Sequence, residues 1–264
     1  MKVLHFAILL LAIACGGTSG STSYRDRAEQ TYREGQELLE DGNYLEAMTA
    51  FNQVKNEFPF SSYAALSSLA VGEVYFREEK YIEAIDVFRL FVRSYPEHPE
   101  VPTALFRESE AFFKQRPSDF SIFPPSFERD KGPTKDTITS LDRFLNRYPR
   151  DKRVKEAKRM RRICRESLAD YELYVAQFYL KRDRPWAARK RLETIVTTFP
   201  DTGGQWRRAA IALIQTYQTL VVVDRDDIER VPNGVELAKK LAQKLIKRFP
   251  KSVEAQSETV RRLQ

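Results

Sequence analysis

A sixteen-residue pattern is written twice in the first hundred residues of this chain, and it constrains the fold more than any other feature. Residues 44–59 read YLEAMTAFNQVKNEFP and residues 81–96 read YIEAIDVFRLFVRSYP. Tyr44, Ala47, Phe51, Val54, Phe58 and Pro59 fall on Tyr81, Ala84, Phe88, Phe91, Tyr95 and Pro96, a shift of 37 residues. Successive apolar positions lie three or four residues apart, which places them on one face of a helix. The small Ala admits a neighbouring helix at close range, the Phe and the Val or Phe behind it fill the seam, and Pro ends the helix because it cannot continue one. A fixed period of this length marks stacked helical hairpins, each burying its apolar face on its neighbours. The chain has only ten glycines in its 264 residues, which also favours helix over sheet.

Extending the register backwards adds Gly35 twelve residues before Ala47 and Gly72 twelve before Ala84, with Tyr75 three after Gly72. This Gly, Tyr, Ala, Phe, Pro spacing resembles the tetratricopeptide repeat, a pair of antiparallel helices. The first helix is expected over about residues 28–40, with a turn at Asp41-Gly42-Asn43 in which Gly supplies positive φ. Ser61 is expected to cap the next helix. The second hairpin takes residues 65–96 and turns at Glu78-Glu79-Lys80. A third opens near Pro102, with Leu105, Phe106, Phe112 and Phe113 as its apolar face. Residues 116–133 then interrupt the pattern with four prolines and three phenylalanines, an insertion too aromatic for a solvated loop. The second helix of this unit is expected over residues 134–147. The repeat ending recurs at Leu141, Phe144, Tyr148-Pro149, at Ala188, Leu192, Ile195, Phe199-Pro200 and at Ala238, Leu245, Phe249-Pro250. Residues 151–180 contain no Gly or Pro and read as one long helix or two. Ala176 and Tyr179 take the Gly and Tyr positions there. Residues 205–222 form a further first helix, 223–234 a charged insertion and 252–264 a capping helix. The fold class is therefore all-α, a right-handed α-solenoid of about five tetratricopeptide-like hairpins.

The N-terminus is of a different kind. Lys2 precedes an apolar run over residues 3–13, too short for a membrane span and suited to a signal-peptide core. Ala12-Ile13-Ala14-Cys15 resembles a bacterial lipobox, although Leu11 stands four rather than three residues before the Cys. Cys15 is the expected lipidation site, palmitate included; a plain secretory signal cleaved after Ala14 is the other reading. The domains expected are a signal peptide at 1–14, a Gly/Ser/Thr-rich lipidated tether at 15–23, an N-terminal repeat half at 24–133 and a C-terminal half at 134–264. Cys164 is then the only other cysteine, so there is no disulfide framework, and it reads as a small packing residue. Charge divides unevenly, with 18 basic and 22 acidic residues in 1–150 against 26 and 15 in 151–264.

Catalytic chemistry has little to stand on. His5 lies in the signal segment and His98 between two prolines, so no metal pair forms. No Gly-rich phosphate loop, Cys cluster or nucleophile elbow occurs, and Asp226-Asp227 read as solvated. No cofactor, metal or enzymatic activity is expected. The basic runs, at Lys158–Arg162, 181–191 and 239–248, suit an acidic protein partner or anionic head groups better than nucleic acid, which an exported chain rarely meets. Binding remains. In a stacked array the first helices line a groove. Tyr32, Gln36 and Leu39, then Leu69, Glu73 and Phe76, then Phe106, Glu110 and Phe113 would face it. The result is an aromatic trough with a few carboxylates, suited to an extended or hairpin peptide carrying aromatic side chains.

Four features together resemble the BamD family of outer-membrane assembly lipoproteins. They are the Cys15 lipobox with its tether; the opening pair of repeats, with Phe58-Pro59-x-Ser61-x-Tyr63-Ala64 and Tyr95-Pro96-x-His98-Pro99; Arg129-Asp130 in the loop before the third unit's second helix; and the run Leu168-Ala169-x-x-Glu172-x-x-Val175-Ala176-x-x-Tyr179 leading into Ala187-Ala188-x-x-Arg191 and Phe199-Pro200-Asp201-Thr202. The last is the most specific, because generic repeats do not share it. The insertion at 225–231 matches nothing in that family pattern. The resemblance implies a non-catalytic scaffold of the β-barrel assembly machinery, held by lipid on the periplasmic face of the outer membrane. It implies an N-terminal half that receives unfolded β-barrel outer-membrane proteins, and a C-terminal half that docks on the periplasmic domains of the barrel subunit BamA and on accessory Bam lipoproteins. It also implies docking or conformational roles for Arg129, Asp130 and Arg191. Another periplasmic repeat scaffold, serving the Tol–Pal system or division, shares the repeats but not the run from Leu168 to Arg191. Replacing Cys15 by Ala is expected to abolish incorporation of a labelled fatty-acid analogue; retained label would remove the anchor from that position.

Overall fold

A computed structural model describes residues 23–117, 129–222 and 233–263. The signal segment, Cys15, the tether up to residue 22, positions 118–128 of the aromatic insertion and positions 223–232 lie outside the described residues. The elements are α1 (Tyr24–Glu40), α2 (Tyr44–Glu57), α3 (Ser62–Arg77), α4 (Tyr81–Ser94), α5 (Val101–Gln115), α6 (Gly132–Arg147), α7 (Val154–Leu180), α8 (Pro185–Thr198), α9 (Gly203–Val222), α10 (Gly234–Arg248) and α11 (Glu258–Arg261). No strand occurs among the described residues. The chain divides into two compact units, residues 1–67 and 68–264, with the division inside α3.

In the first unit α1 begins four residues earlier than the repeat register suggests. Ser23 and Asp26 explain this: the Ser23 hydroxyl accepts the Asp26 amide at 3.1 Å, and the Asp26 carboxylate accepts the Ser23 amide at 3.2 Å. This reciprocal cap satisfies two donors that the first turn leaves open. Gly42 has φ 80° and reverses the chain into α2. Tyr24 meets Phe58 edge-on at 5.1 Å, and Tyr32 lies 5.7 Å from Phe51 and 5.5 Å from Tyr63, ring centre to ring centre. Ser61 does not act as drawn from the sequence alone; its hydroxyl donates back to the Phe58 carbonyl at 2.8 Å and closes the turn.

The second unit packs its helices in chain order, each of α4 to α10 against the next, with α7 also touching α9 and α11 resting on α9. Residues 151–180 form a single helix from Val154 rather than two. The turn into α4 places Glu79 at φ 61°, a left-handed position without glycine. The expected capping helix over 252–264 is reduced to the one turn of α11. Serine hydroxyls take the local backbone instead: Ser252 Oγ accepts the Ala255 amide at 3.2 Å and Ser257 Oγ donates to the Glu254 carbonyl at 2.7 Å. Such bonds compete with helix propagation.

Five second helices, α2, α4, α6, α8 and α10, end alike. Their C-cap residues Phe58, Tyr95, Tyr148, Phe199 and Phe249 have φ between −116° and −136° and ψ between 49° and 60°. Each cap amide still bonds the carbonyl four residues back. The following Pro disfavours helical backbone at the residue before it and brings no amide of its own. Counting back from these prolines, Ala47, Ala84, Thr137, Ala188 and Ala238 share one register. Phe51, Phe88, Leu141, Leu192 and Ala242 share a second, and Val54, Phe91, Phe144, Ile195 and Leu245 a third. All are buried. Full burial of the Phe, Leu, Ile and Val side chains among them contributes ~1.5–3 kcal/mol each.

Glycine is demanded where a phenylalanine ring faces it. A Cβ on Gly35 would lie 2.7 Å from Phe51 Cε1, and one on Gly72 would lie 2.5 Å from Phe88 Cε1. Gly35→Ala and Gly72→Ala are each expected to lower stability by about 1–2 kcal/mol, overpacking outweighing the gain in helix propensity. Gly204→Ala, whose Cβ meets nothing within 4 Å, should be neutral or stabilising by up to ~1 kcal/mol. Urea unfolding of the three variants checks the contrast.

Candidate functional site

The groove residues separate into those open to a ligand and those used in packing. In the first unit Tyr32 is half-buried, and Gln36 is exposed and donates its amide to the Tyr32 hydroxyl at 3.2 Å. Leu39 is buried, and its carbonyl accepts the Gly42 amide at 3.2 Å where α1 ends. In the second unit Leu69 and Phe76 edge a cluster formed by Ala84, Ile85, Phe88, Ala111 and Phe112. Phe106 is buried, with Phe144 at 5.5 Å and the Arg153 guanidinium at 5.6 Å from its ring. Leu39 and Phe106 are therefore core residues rather than groove lining.

What remains on α3 and α5 is one connected face. Arg107, absent from the sequence expectation, is its hub. Its Nη2 donates to Glu73 at 2.7 Å, its Nη1 to Glu110 at 2.8 Å, and its guanidinium covers the Phe76 ring at 4.9 Å. Arg77 also donates to Glu73, at 3.1 Å. One turn further along α5, Phe113 is half-buried with the Arg116 guanidinium 3.8 Å above its ring. Phe76 thus carries a guanidinium held by two carboxylates, and Phe113 carries that of Arg116. Both aromatic rings remain partly open. The register could have flagged Arg107, which lies three residues before Glu110 and so on the same helix face.

A second polar link lies beneath. Glu108 is 1% exposed and accepts Arg89 Nε at 2.8 Å, with Arg143 on its other oxygen. A carboxylate buried this far needs both partners. It ties α4, α5 and α6 together, and a sequence pattern of apolar spacing carries no trace of it.

The expected docking residues lie on separate elements, Arg129 and Asp130 just before α6 and Arg191 on α8. Asp130 is exposed and its carboxylate accepts the Gly132 amide at 3.0 Å, at the start of α6. Arg129 is half-buried. Lys131 follows, its ammonium 5.9 Å from the Tyr171 ring of α7. Arg191 projects from α8 and donates to Glu172 of α7 at 3.2 Å.

A family model described as YfiO, outer membrane lipoprotein, matches residues 25–227. The chain belongs to that family. Among curated relatives, the outer membrane protein assembly factor BamD of Vibrio cholerae serotype O1 is 26% identical over 236 residues, 87% of this chain and 95% of its own length. BamD of Caulobacter vibrioides is 25% identical over 220 residues, 81% and 69% of the two chains. That of Neisseria meningitidis serogroup A is 25% identical over 229 residues, 83% and 85%. Among solved structures, a TPR repeats protein from Bacteroides fragilis aligns over 89% of this chain and 97% of its own, with 13% identity and a TM-score of 0.47.

Within the YfiO match, Cys164 and His98 both have structural surroundings. Burial pushes the Cys164 thiol up to about 11, so it stays protonated and unreactive, in keeping with a packing role. His98 accepts the Glu100 amide on Nδ1 at 3.1 Å and lies edge-on to Phe91, closing a turn. No His, Cys or carboxylate cluster able to hold a metal occurs among the described residues. No helix among them is long and apolar enough to cross a membrane.

Asp151 lies in the turn before α7. Arg153 donates its amide and Nε to Oδ1, both at 2.8 Å, and Nη2 to Oδ2 at 2.7 Å, while its Nη1 reaches Thr103 at 2.8 Å. The Arg153 hydrogen bonds hold the Asp151 carboxyl at about 2, below the ordinary carboxylate range. A depressed folded value stabilises the fold above the unfolded carboxylate range, and that contribution is lost as pH falls towards about 2. Urea stability is expected to drop between pH 4 and pH 2, with a shallower drop in Asp151→Asn.

Proposed function

We propose that this YfiO-family chain is a non-catalytic assembly factor for outer-membrane β-barrel proteins. It would be anchored by lipid at Cys15 and act from the periplasmic face of the outer membrane. The assembly-factor role rests on the relatives named BamD. The peptide-binding role rests on one observation, the open face of α3 and α5. There Phe76 and Phe113 offer partly desolvated rings, and Arg107 sits between Glu73 and Glu110.

Such a face fits the C-terminal segment of an unfolded barrel chain that ends in an aromatic residue. The rings supply contact area at low entropic cost, and Arg107 can exchange an internal carboxylate for a chain terminus. Glu73 and Glu110 remain to receive backbone amides or cationic side chains. The affinity would reside in the aromatic contacts, with charge setting orientation and encounter rate. Tyr32 and Gln36 on α1 are assigned a peptide contact of their own within the first unit. The C-terminal half is assigned to docking on BamA periplasmic domains and accessory Bam lipoproteins, through the Arg129-Asp130 loop and the half-exposed Arg191. Arg191 already serves Glu172, so docking through it would require the pair to be shared or exchanged.

Phe76→Ala and Phe113→Ala are each expected to weaken binding of a fluorescent barrel C-terminal peptide by about 1–2 kcal/mol, measured by anisotropy. Co-purification with the barrel subunit should be unchanged. Undiminished peptide affinity in both variants removes the peptide from this face.

A further inference from the structure

The α7–α8 turn presents apolar rings and unpaired cations together at a convex tip. Phe178, Leu180 and Trp186 are 42%, 37% and 43% exposed. Between them run Lys181, Arg182, Asp183 and Arg184, all exposed. Lys181, Arg182 and Arg184 form no ion pair among the described residues. Arg182 instead lays its guanidinium 3.6 Å over the Phe178 ring. The turn is well defined: Asp183 has φ 53°, and the amides of Arg182 and Arg184 both bond the Tyr179 carbonyl, at 3.1 and 3.0 Å. The apolar side chains are therefore held outward by a fixed backbone rather than by a frayed end.

Neither use described above absorbs this tip. It lies on a different hairpin from the α3–α5 face, and the Arg191–Glu172 pair involves none of its residues. The same register position supports the pattern. Trp186 is the second residue of α8, as Ile82 is of α4, and Ile82 is 67% exposed. At the start of α10, Val235 and Leu237 are also exposed, ahead of Lys239 and Lys240.

We propose that the α7–α8 tip, through Phe178, Leu180 and Trp186 with Lys181, Arg182 and Arg184, is an interfacial contact for an anionic phospholipid surface. Trp is the side chain most at home at a water–lipid boundary, since its ring is apolar and its N–H wants a polar partner. Leu and Phe bury carbon at the acyl boundary, and the cations meet head-group phosphates. Three cations against the single carboxylate of Asp183 set the sign of the surface. A protein pocket for the same convex tip would have to desolvate those cations against carboxylates, whereas a lipid surface leaves them hydrated.

The chain supplies its own probe, because it has two tryptophans and Trp206 is 0% exposed. The full chain is bound to phosphatidylethanolamine vesicles with brominated acyl chains, with and without phosphatidylglycerol. Loss of the Trp186 share of the emission is expected only with phosphatidylglycerol. Trp186→Phe should remove the quenched component and leave that of Trp206. Because the readout is the position of Trp186 and not attachment, a lipid at Cys15 does not mask it. Lys181→Gln, Arg182→Gln and Arg184→Gln should each lower the ratio of inserted to free tip about five-fold, and raised salt should do likewise. Unchanged circular dichroism of these surface variants establishes that the fold is intact. Absence of quenching, equal quenching without phosphatidylglycerol, or a Trp186 response only when another protein is added would each overturn the proposal. The last outcome would make the tip a protein interface.

Discussion

The spacing of the hairpins depends on one contact, a phenylalanine ring of a second helix laid against a glycine of the first. At Gly35 with Phe51 and at Gly72 with Phe88 the ring occupies the volume that a Cβ would need. Interiors pack at near-crystalline density, so the sum of the two side chains across the seam is constrained more tightly than either one. The later units respect that sum with different residues. Where the second helix carries Leu192 in place of Phe, the first helix carries Ala176 in place of Gly, and both are buried. In the third unit Leu141 stands in the ring position, and Ser109 of α5 has room for a hydroxyl, which meets Ser140 at 2.8 Å. The repeat is conserved within the chain as a volume, not as a set of residues.

The aromatic–Pro ending fixes the other dimension. The second helices of all five hairpins stop at nearly the same backbone angles and so end each hairpin in the same way. The cap residue needs no special side-chain bond, since its amide is satisfied four residues back and the next residue has no amide to satisfy. Insertions can then be accepted between the helices of a hairpin without disturbing the helix ends. That is where residues 116–133 and 223–234 fall in the sequence.

The fold was legible in the sequence because both of these constraints leave periodic apolar marks. The candidate face was legible only in part. Within the second unit, Leu69, Glu73, Phe76, Glu110 and Phe113 follow one register from hairpin to hairpin, and Tyr32 and Gln36 take the same register in the first unit. Leu39 and Phe106 share that register but are buried, Phe106 against Phe144 and Arg153. Register gives the direction of a side chain, while burial depends on what arrives from elsewhere in the chain. Arg107 and the Glu108 cluster were missed for the converse reason. Apolar spacing does not mark charged side chains: Arg107 pairs with Glu110 one turn along its own helix and with Glu73 of α3, and Glu108 pairs with Arg89 and Arg143 on two other helices. The short α11 was overestimated because serines look compatible with a helix until their hydroxyls take the local backbone.

The basic excess of the C-terminal half looks uniform as a count but divides into two populations in space. Arg161 reaches Asp142, and Arg165 grips Asp201 through Nε at 2.8 Å and covers Phe199 at 5.2 Å. Arg208 pairs with Asp170 at 2.9 Å, and Arg207 with Glu254 at 3.3 Å. These cations hold α7, α9 and the chain after α10 in place, and their charge is largely spent inside the molecule. Lys152, Lys155, Lys158, Arg159 and Arg162 instead line an open shallow basin on α7 and the turn before it, where Glu156 is the one carboxylate among the lining residues. Lys181, Arg182 and Arg184 crown the far end of the same helix. A single 27-residue helix, about 40 Å long at 1.5 Å per residue, therefore has exposed lysines at its start, exposed cations in the turn at its end, and ion pairs along its length, Arg159 with Glu156 and Arg162 with Glu166 among them. Helix α7 is thus both the longest scaffold element and the element that presents cations outward. The unbroken run without Gly or Pro is what allows one element to do both.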